Sequence, residues 1–393
     1  MRFEFTKDQI EWRDEVRDFL RVNVTPELKK ERRELGPVVN GPLGKAFLKK
    51  VDKNGWLGIG WPKEYGGKGE TMMKQFIFLE EFRVADAPWL GMTLTALTPT
   101  IMKVGSEEMK KEWIPKIVKG EVELALGYSE PDAGSDLAAL TTEAVIEGDE
   151  FVINGQKTWN SEAHIATHEF LACRTDPDAP KHSGISIILV PIDYPGVTVV
   201  PIHTWGDIRT NEIFFDNVKV PLKNLVGELN EGWKYAMMAL NLERFDIGSI
   251  ADVRRMLIDV ICFLKETTID GEVLSKNIMI RQRVAELYAE LEVCKWLCYA
   301  AAWMIDEGRM PTGKMLMVKI MGSELKTKFS DLGMQMMNLF GQLRQYSKWV
   351  PLHGELERLY RMSPTWRFGG GTNEILRDII AQTELKLPRE GTR

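Results

Sequence analysis

The period of the hydrophobic pattern changes twice along this chain, and those two changes limit its possible folds more than any other feature. Up to about Gly120 apolar residues recur at helical spacing. From there to about Gly227 the period drops to two, and from Asn230 to the end it is helical again. Helices before and after a block of short strands exclude a doubly wound parallel-sheet nucleotide fold, in which strands and helices alternate. The expected class is α+β: an N-terminal α-helical domain (1–120), a middle β-barrel or sandwich domain (121–229) and a C-terminal α-helical bundle domain (230–393).

Local signals sharpen this outline. Thr6 with Gln9 three residues on is a capping-box signal, and Ile10, Val16, Phe19 and Leu20 follow on one helical face. A second helix is expected from about Pro42 to Lys53, stopped by Asn54-Gly55, followed by the turn-rich stretch Trp61 to Gly69. Further helices are expected over Met72–Val84 and Ser106–Lys119. In the middle block, Thr142–Ile146 and Phe151–Ile153 flank Glu147-Gly148-Asp149-Glu150, a hairpin signal. Asn154-Gly155 reads as another turn, and Gly184–Val190, Val197–Ile202 and Glu212–Phe215 as strands. The last third reads as four long helices, Glu231–Thr267, Met279–Glu307, Pro311–Phe340 and Thr372–Thr383.

Composition excludes several classes of function. In 393 residues, 51 Lys and Arg stand against 57 Asp and Glu, a net charge of −6. That balance gives no pull toward nucleic acid or an anionic membrane. No apolar run approaches the roughly 20 residues of a membrane helix. Acidic residues follow Met1-Arg2-Phe3 where a signal peptide is apolar, and Glu390 to Arg393 match no retention or peroxisomal signal, so a cytoplasmic protein is expected. Four cysteines make no disulfide framework. Cys294 and Cys298 share a helix face without a completing ligand set and are expected as buried thiols, and no metal is expected at His164 and His168. The 19 methionines, Met279, Met304, Met315, Met317 and Met321 among them, fit core filling or a large acyl pocket equally.

Four places can carry chemistry. Leu126 to Asp136 runs from a strand into a turn whose backbone N–H groups, with Ser129, Gly134 and Ser135, could cradle a pyrophosphate; an ordinary strand exit would look the same. Trp159-Asn160-Ser161 could stack on a planar ring and bond its edge, or simply close a barrel end. Glu243 lies among Leu240, Leu242 and Phe245; facing inward it would be desolvated and poised as a proton acceptor, facing outward it is a solvated surface group. Gly369-Gly370-Gly371 before the helix-capping Thr372 allow close backbone approach to a ligand, or only a flexible turn.

Trp61-Pro62 to Gly69, the Tyr128–Ser135 loop, Asn154-Gly155-Gln156-Lys157-Thr158-Trp159 and Gly371-Thr372-Asn373-Glu374-Ile375 together resemble the acyl-CoA dehydrogenase family, over nearly the whole chain. The resemblance implies FAD as cofactor and α,β-dehydrogenation of an acyl-CoA thioester, with electrons passed to electron-transferring flavoprotein. A Glu takes the α-proton while the β-hydrogen leaves as hydride to flavin N5. It places Leu126, Tyr128, Ser129, Gly134, Ser135, Trp159, Asn160, Ser161, Thr372 and Glu374 around FAD. Ser135, Asn241, Arg244, Gly370 and Gly371 would lie on the substrate. Many members carry the base just before the Gly-Thr of the C-terminal motif, which here is Gly370; a minority carry it on the helix ahead of an Arg, which here is Glu243.

With the Ile375 to Pro388 ending, this pattern is most similar to bacterial large subunits of the pimeloyl-CoA or steroid side-chain CoA type. Two segments depart from the family. Leu264 to Gly271 stands where an Arg-x-x-Phe-Gly segment is usual, and Asn338 to Gln342 where Gln-x-x-Gly-Gly is usual. Both normally act across a subunit interface. Their loss implies a tetramer of α2β2 form, in which a second acyl-CoA dehydrogenase-like chain supplies those contacts. A non-catalytic partner subunit and a flavin oxidase on the same fold are the competing readings.

Overall fold

The computed structural model describes residues 4–36, 38–269 and 271–388, with the side chains of 245–247 left aside. Expectations resting on Met1-Arg2-Phe3, the Phe245 side chain, Asp270 or Glu390 to Arg393 lie outside the described residues.

The N-terminal helices are α1 (Lys7–Asn23), α2 (Pro26–Leu35), α3 (Pro42–Lys53), α4 (Met72–Val84), α5 (Thr98–Val104) and α6 (Glu107–Val118), with a single π-helical turn at Thr93–Leu97. The capping box at α1 is closed both ways: Gln9 N donates to Thr6 Oγ1 at 3.2 Å and Thr6 N to Gln9 Oε1 at 3.0 Å. Helix α2 escaped the sequence reading because Leu28 is its one buried residue, so it carries no apolar stripe to detect.

Seven strands follow: β1 (Leu124–Gly127), β2 (Glu143–Glu147), β3 (Glu150–Lys157), β4 (His168–Arg174), β5 (Ile185–Pro191), β6 (Val197–His203) and β7 (Arg209–Pro221). β1 pairs parallel with the start of β4, β2 touches its far end, and β5 runs antiparallel along its other side; β3, β7 and β6 complete the sheet. The Glu147–Glu150 hairpin is present. Asn154-Gly155 is not a turn: both residues lie inside β3, at a bulge where the pairing with β7 shifts register. Gly155 has φ +146°, and a Cβ there would stand 2.7 Å from the Thr142 Cα, so the bulge requires glycine.

Six helices form the C-terminal region among the described residues, where four were expected: α7 (Gly232–Ile247), α8 (Ala251–Glu266), α9 (Ile278–Asp306), α10 (Thr312–Met337), α11 (Glu355–Phe368) and α12 (Asn373–Thr383), with a two-strand hairpin β8 (Thr268–Ile269) and β9 (Glu272–Val273) between α8 and α9. The expected single segment 231–267 breaks after Ile247 because Gly248 lies against α10, where a Cβ on Gly322 would meet the Gly248 carbonyl at 2.2 Å. Helix α11 carries Pro364 inside it, which reads as a breaker in sequence. Core filling describes Met315, which is buried, but Met279 and Met317 are exposed.

The sheet is covered on both faces. Phe170, Ala172, Ile187 and Leu189 pack with α5, α6 and Ala236, Ala239 and Leu240 of α7. Leu171, Cys173, Ile188 and Val190 face Phe151, Ile153 and Phe215. This double burial explains why β5 is buried throughout and, Ser186 apart, apolar instead of alternating. Cys294 and Cys298 are buried thiols. His168 packs edge-on against Trp113 at 4.7 Å, and His164 meets Asn211 at 3.3 Å.

Candidate functional site

The loop after β1 is held from below by a buried ion pair. Glu130 accepts hydrogen bonds from Thr141 N (2.7 Å), Thr141 Oγ1 (2.8 Å) and Thr142 N (2.8 Å), and pairs with Lys157 Nζ at 2.7 Å. Lys157 has no exposed surface. Burial alone would raise the Glu130 carboxyl, but the Lys157 ammonium and these hydrogen bonds overcome it and hold it at about 2. Lys157 Nζ also donates to Tyr128 O at 3.1 Å, and Thr158 N to Ser129 O at 2.9 Å. Both anchors stood inside the quoted motifs without being recognised as such.

The anchored loop turns its other side outward. Leu126 and Ser129 are half-buried, Gly134 and Ser135 exposed, and a Cβ on Gly134 would meet nothing within 4 Å. The hydroxyls of Ser129, Ser135 and Ser161 have no hydrogen-bond partner among the described residues. Beside them Trp159 is 61% exposed with φ +64°. A bulky residue in that conformation is strained, and such strain is characteristic of functional sites. The corner is enforced by Asn160 N donating to Asn211 O (3.0 Å) and Asn211 Nδ2 to Asn160 O (2.8 Å).

Asn160 itself is not on that open face. It is fully buried behind it, its amide donating to Leu126 O at 3.1 Å and to the Glu169 carboxyl. Burial pushes Glu169 up to about 8. Neither Asn160 Oδ1 nor Glu169 Oε2 has a hydrogen-bond partner among the described residues.

Glu243 lies near the end of α7, half-buried, and its charge reaches Tyr128, Arg244 and Lys319. Ala236, Ala239 and Leu240 lie one and two turns earlier and pack with Tyr128, so Glu243 extends that face. The Tyr128 hydroxyl is buried without a hydrogen-bond partner among the described residues, and burial together with Glu243 pushes it up. Arg244 points elsewhere: its Nε donates to Gly370 O at 2.8 Å and its Nη1 to Asn241 Oδ1 at 3.0 Å. Asn241, Arg244 and Gly370 are thus brought together, while Ser135 stays on the β1 loop.

Lys319 of α10 was missed by the sequence reading. It is completely buried and donates to Arg367 O (3.0 Å), Gly371 O (2.6 Å) and Asn373 Oδ1 (2.9 Å), tying down the glycine turn from inside. Burial brings its ammonium down to about 8. A lysine on a long apolar helix gives no sequence signal, because its acceptors lie some fifty residues away. Thr372 caps α12 through Ile375 N at 3.2 Å, and Glu374 is exposed near Arg367.

These features suit a flavin: an exposed aromatic plane, unpaired hydroxyls and an open glycine on one face, and a buried hydroxyl within electrostatic reach of the α7 carboxylate. Comparison with known proteins decides the family. The chain matches the family models of the acyl-CoA dehydrogenase N-terminal domain over residues 6–121, middle domain over 125–218 and C-terminal domain over 230–385. The chain belongs to the acyl-CoA dehydrogenase family. It is 38% identical to acyl-CoA dehydrogenase FadE26 of Mycobacterium tuberculosis across 99% of both chains. Among solved structures it is similar to the Tcur3481-Tcur3483 steroid ACAD, with a TM-score of 0.91 and 36% identity over 99% of this chain and 100% of that one. It is also similar to the ChsE4-ChsE5 complex of Mycobacterium tuberculosis, with a TM-score of 0.89 and 37% identity over 99% of this chain and 100% of that one. Acyl-CoA dehydrogenation, the oxidation of a CH–CH bond, is the activity of the family, whose members are flavoproteins that typically bind FAD. The resemblance drawn from the motifs and the three-part α–β–α architecture are both borne out. No described helix is long and apolar enough to cross a membrane.

Proposed function

We propose that Glu243 is the base of this acyl-CoA dehydrogenase. The observation that carries this reading is the position of its carboxylate on the α7 face that packs with Tyr128, one residue before the Arg244 that grips the glycine turn. Gly370, at the position used by many relatives, has no side chain to accept a proton. The Glu243 carboxylate takes the α-proton of the thioester, on the helix face that also carries the buried Ala239 and Leu240. Arg244 and Lys319 fix the Gly370 and Gly371 carbonyls, leaving the backbone of the turn oriented toward the ligand.

FAD, when bound, supplies the hydride acceptor, and electron-transferring flavoprotein is the onward acceptor. On this chain Leu126, Tyr128, Ser129, Gly134 and Ser135, with Trp159 and Ser161, would hold it; Thr372 and Glu374 lie by the turn. Asn160 serves this face from behind. Likeness to a solved steroid ACAD supports a bulky alicyclic acyl group as substrate class.

The assembly proposed is an α2β2 tetramer with a second chain of the same family. Its support is the state of the two departing segments. Among the described residues, 268–273 form only the small β8–β9 hairpin, and Leu339 and Phe340 are 73% and 55% exposed. Between them lies a cavity of about 330 Å³ lined by Ile269, Leu274, Met279, Ile280, Arg283 and Leu332.

The test is Glu243→Gln in the reconstituted complex with FAD and electron-transferring flavoprotein. Turnover should fall roughly 10²–10⁴-fold with the visible flavin band retained. Unchanged turnover assigns this chain the role of a partner subunit instead.

A further inference from the structure

Glu169 is a buried acid that the proposed chemistry does not use. It sits on β4 with no exposed surface, and β1 runs beside it through Gly127. A Cβ on Gly127 would stand 2.4 Å from Glu169 Oε1, so the glycine is there to admit the carboxyl. One carboxyl oxygen accepts from Asn160 Nδ2, and that same amide donates to Leu126 O at 3.1 Å. The other oxygen has no hydrogen-bond partner among the described residues. Asn160 in turn is the centre of the Trp159–Ser161 corner, whose positive-φ tryptophan and free serine hydroxyl face outward.

We propose that Glu169 is a positioning residue for the flavin-holding face, setting through Asn160 where the Leu126 carbonyl and the Trp159–Ser161 corner stand. This rests on the reading of that face given above. The carboxyl does so as a neutral acid. Its surroundings leave it little choice: β1 and β5 carry no titratable side chain, and although β3 carries Glu150 and Lys157 and β4 itself His168, Cys173 and Arg174, the one charge that acts on Glu169 is that of Lys157, already paired with Glu130. Desolvation dominates, and ionisation is deferred to about pH 8. Above that pH an uncompensated carboxylate stands beneath the corner and must draw in water or rotate, carrying Asn160 with it.

The sign of the stability linkage follows. The carboxyl is raised from 4.5 to about 8 in the folded chain, so its neutral form contributes stability that is complete below 4.5 and lost as pH rises through 8. The test compares wild type and Glu169→Gln in the FAD-loaded assembly, with thermal melts and visible flavin spectra from pH 5 to 9. The variant should gain several degrees in melting temperature over wild type as pH rises, and the wild-type flavin band should shift near pH 8 while that of the variant does not. Taking the difference between the two proteins removes Lys319, which titrates in the same range in both. A melting difference independent of pH overturns the proposal. So does a flavin band with the same pH response in both proteins. Should Glu169→Gln fail to fold, Asn160→Ser, which deletes a donor to the carboxyl, should move the wild-type inflection upward, and an unmoved inflection overturns the proposal. A wild-type assembly that takes up no FAD is a different failure, since it overturns the reading of the face itself and the proposal with it.

Discussion

Replacing Lys157 by Met removes the cation beneath the β1 loop while keeping most of its volume. Glu130 stands at about 2 against an ordinary 4.5. At about 1.4 kcal/mol per pH unit, the fold favours the ionised carboxyl by about 3 kcal/mol. Without Lys157 the carboxyl keeps its bonds from Thr141 and Thr142 but must protonate or stay buried as an unpaired charge. The expected loss for Lys157→Met is about 3–5 kcal/mol. Removing both charges in Glu130→Gln with Lys157→Met leaves the amide oxygen to accept the same backbone N–H groups, so the double variant should lose only about 1–2 kcal/mol. Urea unfolding at pH 7, at fixed protein and FAD concentration, measures all three. The acid limb gives a second check. The Glu130 contribution is complete above pH 4.5 and lost as pH falls toward 2, so the gap between wild type and Glu130→Gln should close over that window. A Lys157→Met variant within about 1 kcal/mol of wild type, or no less stable than the double variant, would refute the reasoning.

Two further substitutions probe the C-terminal region. Gly322→Ala places a Cβ against the Gly248 carbonyl, where no flexible side chain can yield; overpacking of this kind should cost about 1–3 kcal/mol in urea unfolding, and a neutral result would show that α10 can slide away from the α7–α8 joint. Lys319→Met leaves the Arg367 and Gly371 carbonyls and the Asn373 side-chain oxygen without their shared donor. It should lower stability by about 2–4 kcal/mol and raise KM for the acyl thioester while the flavin content of the folded protein stays unchanged; an unchanged KM would separate Lys319 from the glycine turn's function.

Several elements were legible because their causes are local. The α1 cap needs only Thr6 and Gln9, the Glu147–Glu150 hairpin only its turn residues, α3 only an apolar pattern stopped by Asn54-Gly55, and α4 only an apolar pattern. The family was legible from short motifs in order, since each is a stretch of backbone that binds or turns by its own composition. Errors arose where a residue's meaning depends on something distant. Asn154-Gly155 carries a turn signature, but β2 and β7 flank it on both sides and convert it to a bulge. Helix α11 was not anticipated at all, and it runs through Pro364, a residue that disfavours helix interiors. Asn160 sits in a motif that suggests an exposed contact, while Glu169 and Leu126 claim its side chain.

The sequence by itself determined the order of helical and extended segments, their caps and the composition of the ligand-facing loops, because propensity, patterning and turn chemistry act over a few residues. Tertiary structure alone decided which groups became buried and paired. Glu130 and Lys157, Asn160 and Glu169, Arg244 and Gly370, and Lys319 and Gly371 are joined across 9 to 126 residues of chain. A charge acquires its ionisation state and its partner only when packing removes the water around it, and no local pattern records which distant strand or helix will do so.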